Sequence, residues 1–203
     1  MNPKDKQKYL AKAKGSFTTK KCMYIFDKAL KQEKECSLEE FEQFKITKRL
    51  VTDYTTKYWQ YNRDKKVRNG HTPDELYHFI KKFEEDNIDK LKEFEKDYVN
   101  NFEKVFKKDD FELLLKQQHC EYCKITETEI KALADKHQLF KKNERGWSLE
   151  VDRKNSNYEY KKENCVMACY WCNNAKTDEF THEEFMKIGT VIEYIWKIRL
   201  SKG

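Results

Sequence analysis

The chain has 203 residues, 38% charged and 14% aromatic, with a formal net charge of +6 and an isoelectric point near 8.7. That length suits one or two small domains with a real core, whose packing must come largely from Phe and Tyr. No apolar run approaches membrane-spanning length, and the opening Met1-Asn-Pro-Lys-Asp-Lys has no hydrophobic signal segment. A membrane protein is thereby excluded, and a soluble, cytoplasmic (intracellular) chain with reduced thiols is expected. The basic balance fits a polyanionic partner without demanding one.

Only two prolines and five glycines punctuate the sequence, so long helices are predicted. A short polar helix is read over residues 4–14 and a second over about 20–34, with Met23, Ile25, Phe26 and Leu30 inward. Ser37-Leu-Glu-Glu40 is a capping box opening a helix that carries Phe41, Phe44 and Leu50. Asn69-Gly70 breaks the pattern, and Thr72-Pro-Asp-Glu75 starts it again. An apolar stripe then runs through Leu76, Phe79, Ile80 and Phe83 and on through Ile88, Leu91, Phe94, Tyr98, Phe102, Val105 and Phe106. It reads as one helix, or as two broken near Asp86-Asn87. Between these segments, Lys57 to Arg68 and Asn69-Gly70-His71 interleave basic and aromatic groups, as in segments that grip phosphates and stack on bases. Packing of Tyr58 and Trp59 in a core is the alternative. Other lysine pairs are interspersed with glutamate and read as solvated helix faces.

A short helix over 110–115 leads to Cys120-Glu-Tyr-Cys123, where the character changes. Residues 126–138 read as a helix, Lys141 to Gly146 as a loop, 147–151 as a short strand, 165–168 as a second strand and 170–177 as a helix. Thr181-His-Glu-Glu184 opens a last helix with Phe185, Ile188, Ile192, Ile195 and Trp196 on one face. The expected class is therefore α+β, mostly α: a helical region over 1–117, then a ββα unit and a C-terminal helix over 118–203.

Two CxxC knuckles, Cys120/Cys123 and Cys169/Cys172, bracket this ββα segment. Each holds two thiolates at a spacing that suits Zn²⁺, and together they supply the four ligands of a closed structural site. Two disulfides or four unrelated thiols are the alternatives, less suited to a reducing compartment. Cys22, Cys36 and Cys165 fall outside the cluster and read as buried small hydrophobes.

Val151-Asp152-Arg153, Asn164-Cys-Val-Met-Ala-Cys169 and Cys172-Asn-Asn-Ala-Lys176 resemble the zinc-stapled HNH, or His-Me finger, endonucleases, over about a third of the chain. The resemblance implies a ββα-metal core that hydrolyses phosphodiester bonds. It places Asp152 and Asn173 as ligands of a catalytic Mg²⁺ or Mn²⁺. It places Asn164 as the residue bracing the connection between the strands, and Lys176 toward a phosphate. Hard oxygen ligands and retained waters suit such an ion. Arg153 departs from the family pattern, standing where a histidine would deprotonate water. Arginine cannot act as that base but can clamp a phosphate. A subset of the family, including some restriction enzymes, shares Asp-Arg. Tyr160 or Tyr158, between the strands, or the more distant His119 or His137, would then assist the water. The expected activity is site-specific cleavage of double-stranded DNA by a restriction-type or phage-type enzyme, with a homodimer favoured for cutting both strands. The open alternatives are a zinc-dependent nucleic-acid-binding module without catalysis and a helical assembly partner.

Overall fold

The computed structural model describes residues 1–58, 75–139 and 145–202. They form a mostly helical α+β protein with a two-stranded sheet and a C-terminal helix. Two compact units are present: residues 6–104 with 157–159, and residues 1–5 and 105–156 with 160–203.

The first unit is built on α1 (Pro3–Lys31), a single 29-residue helix. The predicted break between residues 14 and 20 does not occur. Thr18 and Thr19 turn their hydroxyls back to the carbonyls of Lys14 (3.0 Å) and Gly15 (3.2 Å), so they satisfy themselves inside the helix. Ala13 and Ser16 are fully buried, and these small side chains sit in the same interior face as Phe17. Met23, Ile25 and Phe26 are inward as predicted, whereas Leu30 is exposed.

Ser37 caps α2 (Leu38–Gln43) by accepting from the Glu40 amide at 3.2 Å. The helix ends at Phe44, and Thr47 caps a separate α3 (Lys48–Asp53), so Phe41 and Leu50 belong to different helices. The stripe after residue 75 is likewise two helices, α4 (Glu75–Asp86) and α5 (Ile88–Asn100). Asn87 separates them. Its buried amide donates to the Phe83 carbonyl (3.0 Å) and accepts from the Cys36 thiol (3.2 Å).

Aromatic rings fill this unit. Phe41 meets Phe17, Tyr24, Phe94 and Tyr98 at centroid distances of 5.6, 5.3, 5.3 and 6.3 Å. Such contacts add to what area burial alone contributes. A second cluster joins Met23 and Phe26 of α1 to Leu50 of α3. The buried Lys28 ammonium bonds Glu33 (2.7 Å) and Glu40 (2.8 Å). The predicted basic–aromatic segment and the Thr72 helix start fall almost wholly on residues 59–74, outside the described residues.

In the second unit, α6 (Lys108–Leu115) precedes the first knuckle, and α7 (Glu127–Asp135) opens on a full capping box of Thr126 and Glu129. The predicted strand at 147–151 is displaced to β1 (Glu150–Arg153), with Trp147 exposed before it. β2 (Cys165–Ala168) pairs antiparallel with β1, setting Asp152 opposite Val166 and Arg153 opposite Cys165. α8 (Tyr170–Lys176) follows directly, and α9 (His182–Ser201) opens on the predicted capping box at Thr181. Phe185, Gly189 and Trp196 are its buried face, while Ile188 and Ile195 are exposed, contrary to the predicted stripe. No helix among the described residues is long and apolar enough to cross a membrane.

Candidate metal and phosphodiester site

Cys120 and Cys123 lie on a tight turn closed by the His119–Thr126 bridge and by the Cys120 amide on the Ile125 carbonyl at 2.9 Å. The Glu121 amide donates to the Met167 carbonyl at 2.8 Å, which pins this turn beside β2. Cys169 is the N-cap of α8 and Cys172 lies in its first turn. The four sulfurs are buried and all lie within 4.8 Å of one another. Cys123 and Cys169 sulfurs are 3.6 Å apart, well beyond the ~2.0 Å of a disulfide bond. Tetrahedral Zn²⁺ with Zn–S near 2.3 Å needs sulfurs about 3.8 Å apart, so the donor set fits that ion. Hydrogen bonds from the other thiols hold Cys120 well below the ordinary thiol range, while Cys169 and Cys172 are pushed up. A bound divalent cation would hold all four sulfurs as thiolates.

The sheet and α8 bring most of the predicted site residues together. Glu150 and Asp152 share one face of β1 because strand side chains alternate. Asn173 and Lys176, three residues apart, share one face of α8. These two faces meet: the Asn173 amide nitrogen donates to Glu150 at 2.7 Å, and Lys176 Nζ donates to the Arg153 carbonyl at 2.8 Å. Lys176 Nζ also lies 3.5 Å from Asp152 Oδ2. Its side chain is buried, so the ammonium braces the end of β1 instead of pointing outward.

Asp152 Oδ2 accepts a second contact, from the Tyr122 hydroxyl at 2.9 Å. Among the described residues, neither Asp152 Oδ1 nor Asn173 Oδ1 accepts a hydrogen bond. The Asp152 side chain keeps 12% of its exposure and Asn173 is half-buried. Two hard oxygens within reach of solvent are what a hydrated Mg²⁺ or Mn²⁺ accepts from a protein.

Asn164 closes the neck of the connection between the strands. Its Oδ1 accepts from the Asn155 amide at 3.0 Å, its Nδ2 donates to the Asn155 carbonyl at 2.9 Å, and its own carbonyl accepts from Lys154 at 2.7 Å. Within this connection the Arg153 guanidinium sits 4.6 Å over the Tyr160 ring, a cation–π contact. Tyr158 belongs with the helical unit, and His119 and His137 are exposed.

Two contributors escaped the sequence reading. Glu150 is clasped by Arg145 at 2.8 and 2.9 Å while holding Asn173. Its place two residues before Asp152 was the available signal. Tyr122, inside the first knuckle, carried none. No protein-family model matches the chain, and no curated protein matches it. A solved structure of the rare-cutting HNH restriction endonuclease PacI is similar to it at 29% identity, over 51% of this chain and 75% of that one, with a TM-score of 0.38.

Proposed function

We propose that this chain is a metal-dependent DNA endonuclease that hydrolyses phosphodiester bonds, with a zinc-stapled ββα-metal core. The reading is carried by one observation: α8 lies along β1 so that a carboxylate and an amide on adjoining elements each present an oxygen without a hydrogen bond among the described residues. The four-cysteine cluster at the base of α8 supports it by fixing where that helix begins.

Asp152 and Asn173 would hold the catalytic Mg²⁺ or Mn²⁺. Such an ion, when bound, offsets charge on the scissile phosphate and its leaving oxygen. Arg153 would clamp a phosphate oxygen through its planar donors. Tyr160, stacked beneath that guanidinium, would position the attacking water. Asn164 holds the connection that carries Tyr160, and Lys176 fixes the strand end that carries Asp152 and Arg153. Duplex DNA is the proposed substrate, and the helical unit would supply any sequence preference. A homodimer would place one centre on each strand.

Plasmid cleavage by zinc-loaded protein, with and without Mg²⁺ or Mn²⁺, tests this reading beside Asp152→Ala and Arg153→Ala. Metal-dependent cutting is expected to fall at least about 100-fold in the aspartate variant, and discrete fragments would indicate site specificity. Arg153 at the place of a base favours a second reading, a nucleic-acid-binding module without catalysis. Salt-sensitive DNA binding with no cutting under any divalent ion would replace the first reading by the second.

A further inference from the structure

We propose that Tyr122 is a positioning residue: it ties the first cysteine knuckle to Asp152 and selects which carboxylate oxygen is offered to the catalytic metal. The proposal rests on the nuclease reading above and assigns the knuckle a role beyond holding the fold together.

Tyr122 lies between Cys120 and Cys123 and is 1% exposed. Three contacts fix it. Its neighbour Glu121 is pinned to β2 through the Met167 carbonyl at 2.8 Å. Its ring meets Phe185 edge-on at 5.1 Å and lies 5.6 Å from His182. Its backbone is approached by Gly189, where a Cβ would lie 2.5 Å from the Tyr122 carbonyl oxygen. That glycine is therefore required for α9 to press this closely on the knuckle. A side chain held at backbone, ring and neighbour has little freedom left, so the direction of its hydroxyl is set by the scaffold.

That hydroxyl donates to Asp152 Oδ2 at 2.9 Å, the oxygen that also faces Lys176 at 3.5 Å. Both donors thus meet one oxygen and leave Oδ1 without a hydrogen bond among the described residues. Removing the hydroxyl leaves, among the described residues, the Lys176 ammonium as the remaining polar partner of the carboxylate. The carboxylate can then rotate toward the ammonium, which competes with a metal for both oxygens. A partner that orients a metal-binding carboxylate in this way commonly governs metal affinity and activity 10- to 100-fold when lost, on the order of magnitude known for such contacts.

The test uses the full zinc-loaded chain as wild type, Asp152→Ala and Tyr122→Phe. Mn²⁺ binding is read by electron paramagnetic resonance, and cleavage of plasmid DNA by kcat and KM separately. Zinc content and melting temperature are measured alongside. Tyr122→Phe is expected to keep its zinc and its melting temperature, to bind Mn²⁺ about tenfold more weakly and to lose about 10- to 100-fold in kcat at unchanged KM for DNA. Wild-type Mn²⁺ affinity and kcat in Tyr122→Phe would overturn the proposal while the nuclease reading stands. Loss of zinc or of melting temperature in that variant would overturn it too, by assigning the tyrosine to the scaffold. A wild type that neither binds Mn²⁺ nor cuts would overturn the nuclease reading and this inference together.

Discussion

The two compact units reach order by different physics. The helical unit, residues 6–104, is held by packed rings: Phe17, Tyr24, Phe41, Phe94 and Tyr98 touch one another across α1, α2 and α5. Its stability is spread over apolar area, and its polar groups are secondary. The other unit has a sheet of two four-residue strands, too small to stand by itself. There an apolar core that includes Phe111, Ile130, Leu133 and Phe185 is supplemented by constraint concentrated in four sulfurs, one knuckle turn and the close approach of α9 at Gly189. Distributed packing tolerates damage anywhere in small amounts, whereas a concentrated device fails at a point. The same concentration lets a helix start and a strand end be held closely enough to set an amide against a carboxylate.

The largest expected effect separates the two units directly. Stripping the proposed zinc, or Cys172→Ser, should abolish hydrogen-exchange protection over β2 and α8 at an apparent cost on the order of 10 kcal/mol, while α1 stays protected from about Tyr9 onward. Retained protection of β2 without metal would show that sulfur packing alone suffices. The converse is Phe41→Ala, which removes a ring 1% exposed and should cost about 3–5 kcal/mol. Urea unfolding followed with zinc content should show the helical unit melting first with the metal still bound. If both units unfold in one transition, the contrast drawn here is lost.

A smaller effect is expected at Gly189→Ala. The new methyl group meets backbone at 2.5 Å, so α9 or the knuckle must shift. A loss of about 1–3 kcal/mol is expected, confined to the second unit, and thermal melts with residue-resolved exchange would locate it. The smallest effect concerns pH. Hydrogen bonds from Lys28 and Tyr24 hold the Glu40 carboxyl below its ordinary 4.5. A depressed carboxyl contributes stability above its unfolded value and loses it as pH falls through the lower folded value. Burial opposes the Lys28 charge, yet the hydrogen bonds it donates to the Glu33 and Glu40 carboxylates outweigh that and hold the ammonium above its usual range. That contribution is present below pH 10.5 and is lost as pH rises through the raised value. Glu40 is half-exposed, so Glu40→Gln should cost only about 0.5–1 kcal/mol at neutral pH. Its unfolding curve should flatten between pH 5 and 3 relative to wild type, to the order of magnitude such a pair allows. An unchanged acid limb would remove the pair from the account.

What could be read from residues alone followed from local rules. β2, α8 and the start of α9 appear where the strand expected at 165–168, the helix expected at 170–177 and the Thr181 capping box put them, whereas the strand read from alternation at 147–151 is displaced. The paired spacing of the four cysteines foretold their convergence, since the geometry of a CxxC turn is local. Other features depended on distant partners. The hydroxyl-rich stretch after Gly15 reads as a break, yet Ser16 is buried with the Tyr98 hydroxyl 3.0 Å away, and the helix runs on. Lys176, one turn beyond Asn173, is expected from the resemblance to point at a phosphate, yet β1 offers it a carbonyl and a carboxylate and it turns inward.

The sequence by itself determined the helical character, the cysteine pairs and the residue types brought to the strand end, because these follow from periodicity, capping and covalent spacing. Only the tertiary structure decided which atoms of those residues are spoken for. Glu150 takes the Asn173 nitrogen, and Tyr122 and Lys176 meet one oxygen of Asp152. Hydrogen-bond direction at such a site is fixed by elements that meet across the fold, and no local pattern carries that information.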